Sequence, residues 1–207
     1  MVDFGVGNLM SVLQAVEYCG ISAISTSNPD VLQKTDKIIL PGVGAFPNAM
    51  RQLNCLGLVE PLREMARRGK PLLGICLGMQ LLLEKSEEFE KTEGLAIIPG
   101  EVVPIPTKTL DKSPLKVPSI GWSRLIPSEK NLWDQSLLGK ISDDDEVYFV
   151  HSFMAIPRNP GTCLANYVYG GHKIVAVIRQ NNIVGCQFHP EKSGVPGLKI
   201  INEFLNS

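Results

Sequence analysis

Long apolar runs are missing from this chain of 207 residues; the longest, such as residues 81–83 and 174–178, are far too short to cross a bilayer, so no membrane association is expected. A charge excess is missing too. Twenty Lys and Arg stand against 21 Asp and Glu, a net charge of −1, so no nucleic acid partner is expected. Metal-ligand spacing is absent: the three histidines are far apart, and the five cysteines (Cys19, Cys55, Cys76, Cys163, Cys186) are odd in number, scattered and without a Cys-x-x-Cys pair. That argues against a disulfide framework or a bound metal, and for a reduced, cytoplasmic setting. The opening residues carry neither the basic nor the long apolar stretch of a signal peptide. What remains, with 44% hydrophobic and 20% charged residues, is the profile of a globular protein, and without repeats or a linker a single domain over residues 1–207 is expected.

The N-terminal half alternates short β-branched runs with amphipathic stretches, the mark of an α/β fold with a parallel sheet under helices. Residues 1–4 read as the stub of a first strand, followed by a Gly5-Val6-Gly7 turn. Asn8 is placed to cap a helix whose Val12, Leu13 and Val16 share a face and which Gly20 stops. Residues 21–25 and 37–40 read as the next strands, the latter ending at Pro41-Gly42. A helix over 58–68 closes at Gly69, and residues 71–75 form a buried strand. After Ser86 the texture changes: Glu87, Glu88, Glu90 and Glu93 suggest a solvated stretch, residues 104–118 an exposed proline-rich loop, and segments 148–150, 164–169, 174–178 and 183–188 further strands. A helix bearing Leu198, Ile201, Phe204 and Leu205 ends the chain.

The densest signal is Leu72-Leu73-Gly74-Ile75-Cys76-Leu77-Gly78-Met79-Gln80. A nucleophile held on a tight strand-to-helix turn needs small neighbours, because bulky side chains collide as the backbone reverses. Gly74 and Gly78 supply them at minus two and plus two. The turn exposes the Cys76 sulfur, the following helix N-terminus favours a thiolate, and the Leu77 amide is placed to stabilise an oxyanion. An isolated cysteine is more often a small buried hydrophobe, and the other four keep that reading. A cysteine nucleophile requires a base. Gln187-Phe188-His189-Pro190-Glu191 offers one at the end of an apolar strand, where residues two apart face the same side, so His189 and Glu191 pair as base and orienting carboxylate.

The two segments together resemble the class I (triad) glutamine amidotransferases, over nearly the whole chain. Pro41-Gly42-Val43-Gly44-Ala45-Phe46, Ile120-Gly121-Trp122 and Tyr148-Phe149-Val150-His151-Ser152-Phe153 narrow the resemblance to the branch whose members feed ammonia to a (β/α)8-barrel cyclase in histidine biosynthesis. The resemblance implies a three-layer fold with a mainly parallel central sheet and some antiparallel strands in the C-terminal half. It implies Cys76 as nucleophile, His189 as general base and acid, and Glu191 as the residue orienting the imidazole. Val43 and Gly44, with Leu77, would form an oxyanion hole whose peptide must turn to complete it. Gln80, Glu88, Ser152 and Phe153 match positions holding L-glutamine, and Asn8, Trp122, Tyr148 and Lys192 match positions near the face presented to the synthase subunit. No cofactor is implied. The family normally opens with several more apolar residues, and often has His at Ser119 and Asn at Ser123, in what reads as the partner-facing region. Those departures keep open a paralogue serving a sugar-modifying synthase of surface polysaccharides. A non-catalytic regulator is opposed by the intact Cys-His-Glu set, and a nucleotide-binding module by the missing third glycine after Gly5-x-Gly7. His151 and His172 carry no assigned role, and His172 reads as a turn residue.

Overall fold

The computed structural model describes residues 1–129 and 133–207. Its helices are α1 (Leu9–Tyr18), α2 (Pro29–Gln33), α3 (Phe46–Cys55), α4 (Val59–Arg67), α5 (Leu77–Leu81) and α6 (Gly194–Asn206). Its strands are β1 (Ile38–Leu40), β2 (Leu72–Ile75), β3 (Lys85–Ser86), β4 (Thr92–Glu93), β5 (Gly100–Pro104), β6 (Ser119–Arg124), β7 (Ile126–Pro127), β8 (Glu146–His151), β9 (Phe153–Pro157), β10 (Cys163–Tyr169), β11 (His172–Gln180) and β12 (Ile183–Cys186).

The central sheet runs β1-β2-β12-β11-β10-β7. β1, β2 and β12 are parallel, and the C-terminal strands β11, β10 and β7 add on antiparallel, so two pairings are parallel and three antiparallel. Strand alternation feeds two cores at once. Ile38, Leu40 and Leu72 enter one with α3, α4 and α5, while Ile39, Leu73 and Ile75 enter the other with α1 and α6. Full burial of each such side chain contributes about 1.5–3 kcal/mol, and this is what keeps the parallel strands covered on both faces. A small sheet, β4-β3-β5-β9, adds to the first side and the two-stranded β6–β8 sheet to the second.

Two readings need correction, and one helix was missed. Residues 21–25 are not a strand: Thr26 forms one parallel bridge with Val2, and Ile21 and Ile24 are exposed. The segment lies at the sheet's outer margin, where one face has nothing to cover it. Asn8 stands at the helix N-cap without a side-chain hydrogen bond to the helix. Helix α3 was not legible, because Ala45 at its N-cap has no capping side chain; the Phe46 N–H is instead accepted by the Glu88 carboxylate at 2.7 Å. The 104–118 loop is as exposed as expected, except for buried Ile105, and folds back on the β10–β11 hairpin, where His172 opens β11 and faces the Lys108 carbonyl at 2.8 Å.

Candidate active site

Cys76 joins β2 to α5 with φ 53° and ψ −108°, a left-handed conformation that costs a β-carbon-bearing residue about 1–3 kcal/mol. The neighbourhood holds it there. The Cys76 N–H donates to the Cys186 carbonyl of adjacent β12 at 2.7 Å. A Cβ at Gly78 would lie 1.8 Å from the Leu40 carbonyl oxygen, and one at Gly74 would lie 2.7 Å from the Gly78 oxygen. Both glycines are therefore required by backbone approach, as the spacing suggested. The sulfur receives a long hydrogen bond, 3.7 Å, from the Nε2 of fully buried Gln187.

His189 Nδ1 lies 2.8 Å from Glu191 Oε1, with the two side chains 2% and 1% exposed. The pairing holds but its geometry differs from an extended strand. β12 ends at Cys186, and residues 190–192 form a single 3₁₀ turn that brings the carboxylate under the ring. Pro190 opens that turn, where its fixed φ fits and its missing N–H costs nothing. The ring's other nitrogen, Nε2, is buried without a hydrogen-bond partner among the described residues, as is Glu191 Oε2. Burial alone would lower the His189 pKa, but interactions with Cys76 and Glu191 outweigh it and hold it at about 9. The backbone is fixed as well: the His189 N–H donates to the Tyr148 carbonyl at 2.9 Å, while the Ser193 hydroxyl donates to the His189 carbonyl at 2.6 Å and accepts the Tyr148 N–H at 3.0 Å.

A cleft of about 280 Å³ opens over the sulfur, lined by Val43, Gly44, Cys76, Leu77, Gln80, Glu88, Ser152, Phe153 and His189, and so by every residue expected for the nucleophile, base, oxyanion hole and substrate. Its size suits an amino acid and falls below that of sites for larger ligands. The Leu77 N–H donates to the Gly42 carbonyl at 3.3 Å, so one expected oxyanion donor is already engaged, while Gly44 sits at φ 104° beside exposed Val43. Gln80 Nε2 donates to the Phe153 carbonyl at 3.1 Å and to Gln187 Oε1 at 3.0 Å. Glu88 departs from the solvated stretch expected of it. It is 9% exposed, and burial raises its pKa against the opposing Phe46 N–H.

Sequence reasoning missed Gln187, Val150, Pro118 and His151, which also reach the sulfur or the cleft. Gln187 sits two before His189, just past the end of β12, a signal that was available. His151 ends β8 and is 6% exposed, its pKa lowered to about 4 by burial, with the Phe153 carbonyl opposing and His189 assisting. Of the expected interface set, Trp122 is exposed and meets half-buried Tyr148 edge-on at 5.7 Å. Lys192 is exposed on the 3₁₀ turn, against which packs α1, whose N-cap is Asn8. Ser119 departs from the partner-facing placement: it is 3% exposed, with its hydroxyl 3.1 Å from that of Tyr167.

The two histidines set an expected pH profile of stability. His151, lowered to about 4 from 6.5, binds its proton in the unfolded chain first, so stability falls as pH drops from 6.5 toward 4. The loss amounts to about 3 kcal/mol at about 1.4 kcal/mol per unit. His189, raised to about 9, contributes stability fully present below pH 6.5 and lost as pH rises toward 9. Urea unfolding at pH 5, 6.5 and 8.5 should place the maximum near 6.5 for these groups. A His151→Asn chain that loses as much stability between pH 6.5 and 5 as the parent would show that His151 is not the source of the acid loss.

Among the described residues no three of His, Cys, Asp and Glu are grouped to hold a metal, and no helix is long and apolar enough to cross a membrane. A family profile described as "Glutamine amidotransferase class-I" matches residues 1–207. Imidazole glycerol phosphate synthase subunit HisH 1 of Legionella pneumophila strain Lens is 50% identical over 206 residues, covering 99% of this chain and 97% of that protein. Subunit HisH of the same synthase from Lactococcus lactis strain IL1403 is 43% identical over 210 residues, covering 99% and 96%. Among solved structures, PurLQS from Thermotoga maritima aligns with a TM-score of 0.72 at 20% identity over 99% of this chain and 95% of that one. The acivicin-bound glutaminase domain of Trypanosoma brucei CTPS aligns with a TM-score of 0.64 at 19% identity over 95% and 86%. These two speak for the three-layer α/β fold alone.

Proposed function

The chain belongs to the class-I glutamine amidotransferases, and from that premise we propose that it is the glutaminase subunit of an imidazole glycerol phosphate synthase, releasing ammonia from L-glutamine for a (β/α)8-barrel cyclase. The observation that carries the reading is the His189 ring, which sets one nitrogen against a buried carboxylate and shares with the elbow cysteine the lining of a cleft the size of an amino acid. The names of the relatives support the choice of synthase.

In this mechanism the Cys76 thiolate attacks the carboxamide carbon of glutamine. His189, protonated at neutral pH, gives its Nε2 proton to the departing nitrogen as the C–N bond breaks, leaving a γ-glutamyl thioester and ammonia. The neutral ring then takes a proton from water, whose oxygen attacks the thioester; glutamate leaves and the thiolate and imidazolium return. Glu191 accepts the hydrogen bond from Nδ1–H and orients the ring. Gln80 and Glu88, with the backbone of Ser152 and Phe153, bound the glutamine. Trp122, Tyr148, Lys192 and Asn8 lie toward the cyclase.

The oxyanion of the tetrahedral intermediate needs amides from Leu77 and the Val43–Gly44 region, and here the Leu77 N–H is donated to the Gly42 carbonyl. The isolated chain is therefore expected to be a slow glutaminase. Docking of the cyclase with its ribonucleotide ligand would bias the 42–44 peptide toward the open arrangement, and a gain on the order of 10² requires about 2.7 kcal/mol of bias. The measurement is glutamate release by the chain alone, with the cyclase, and with the liganded cyclase. Equal rates in all three would reject the gating, and stimulation only by a sugar-modifying synthase would reassign the partner.

A further inference from the structure

A buried hydrogen-bonded chain runs behind the cleft. Ser119 Oγ lies 3.1 Å from the Tyr167 hydroxyl, which lies 2.7 Å from His151 Nε2, while His151 Nδ1 lies 2.8 Å from the Phe153 carbonyl oxygen. Ser119, Tyr167 and His151 are 3%, 0% and 6% exposed. The direction of every proton follows from chemistry. Burial favours the neutral His151 ring, which has one N–H; a carbonyl oxygen only accepts, so in that ring Nδ1 carries the proton and Nε2 is a bare acceptor. Tyr167 then donates to Nε2, and with its one proton spent it accepts from Ser119. The Phe153 carbonyl at the end of the chain also accepts Gln80 Nε2 at 3.1 Å. Two donors thus fix one carbonyl of the segment that lines the cleft.

We propose that His151 is a positioning residue, locked as its Nδ1–H tautomer by Tyr167 and Ser119, which holds the Ser152–Phe153 backbone in the geometry that receives glutamine and takes no part in proton transfer. With both ring nitrogens engaged, neither is free to reach the reacting atoms, although the side chain borders the cleft. The chain begins on β6, whose Ile120 and Trp122 are exposed beside Ser119, so the same bonds tie a surface strand to the cleft floor. This inference rests on the reading of the cleft as the glutamine site.

Two measurements test it. In the complex with cyclase and its ribonucleotide ligand, His151→Leu should raise the glutamine KM about tenfold, the effect of one lost buried hydrogen bond, with kcat within about threefold. His151→Asn, whose amide can reach the Phe153 carbonyl from the Nδ1 position, should recover most of that rise. Tyr167→Phe, which removes one hydroxyl and keeps the ring, should raise KM several-fold. A collapse of kcat with KM unchanged, equal damage from Leu and Asn, or an unchanged KM in all three variants would overturn the proposal. The second measurement needs no activity. Nitrogen NMR of the isolated chain, where three histidines are simple to assign, should find His151 protonated at Nδ1 and bare at Nε2 at pH 7. A proton on Nε2 sinks the proposal even if the glutaminase reading stands, and an inactive wild-type complex sinks that reading while the NMR result still decides this one.

Discussion

Cys76→Ala is expected to reduce glutamine-dependent turnover by roughly 10⁴-fold or more, to the level left by binding and the oxyanion donors alone. The complex should still make product when ammonium salts are supplied, because only the ammonia source has been removed. The substitution deletes one sulfur and keeps the Cβ, so the elbow between Gly74 and Gly78 retains its packing. Labelling gives the same answer by another route. A glutamine-like electrophile should modify Cys76 ahead of Cys55, which is exposed at the end of α3 and does not line the cleft beside His189, and ahead of Cys19, Cys163 and Cys186, whose thiols burial pushes up. Substantial glutaminase turnover in Cys76→Ala, or preferential labelling of Cys55, would remove the nucleophile from the mechanism.

His189→Ala is expected to cost 10²- to 10⁴-fold in glutaminase kcat, the usual range for a general acid and base. Glu191→Gln should cost less, since an amide oxygen can still accept the Nδ1 proton at the 2.8 Å contact. Its signature is in the pH profile. The carboxylate is one of the interactions holding the His189 pKa at about 9, so its neutral isostere should move the alkaline limb of kcat to lower pH. A His189→Ala rate within about threefold of the parent contradicts the triad, and an unmoved alkaline limb in Glu191→Gln removes the carboxylate from its tuning.

What could be read from the sequence was what local rules impose. The elbow was legible because Gly74 and Gly78 flank Cys76 closely in sequence, although only the Gly74 approach is local and the one at Gly78 is to the Leu40 carbonyl of the neighbouring strand. The parallel strands announced themselves as buried β-branched runs, and the helix ends as Gly20 and Gly69. Helix α3 was hidden because its cap comes from Glu88, far along the chain, and the same long-range bond turned an apparent surface glutamate into a buried one. His151 was hidden for the same reason: its meaning lies in Tyr167 and Ser119, on two other strands. The Glu191 carboxylate was found through an argument about extended chain that the 3₁₀ turn replaces, since a spacing of two can be closed by either geometry.

The hydrogen bond from the Leu77 amide to the Gly42 carbonyl has a further meaning in terms of inhibition. On the role proposed for the Leu77 amide, a carbonyl oxygen tethered 3.3 Å from it would act as a blocking ligand built into the chain, present at an effective concentration that dissolved glutamine does not approach. Raising glutamine cannot displace it, because glutamine and the Gly42 carbonyl contend for the amide only once the intermediate forms. Idle hydrolysis would then be limited by occupancy of one donor and be insensitive to how much nitrogen the cell holds. An agent that moves the 42–44 peptide relieves this inhibition without contacting the substrate, whereas a mutation that merely tightens glutamine binding leaves it in force.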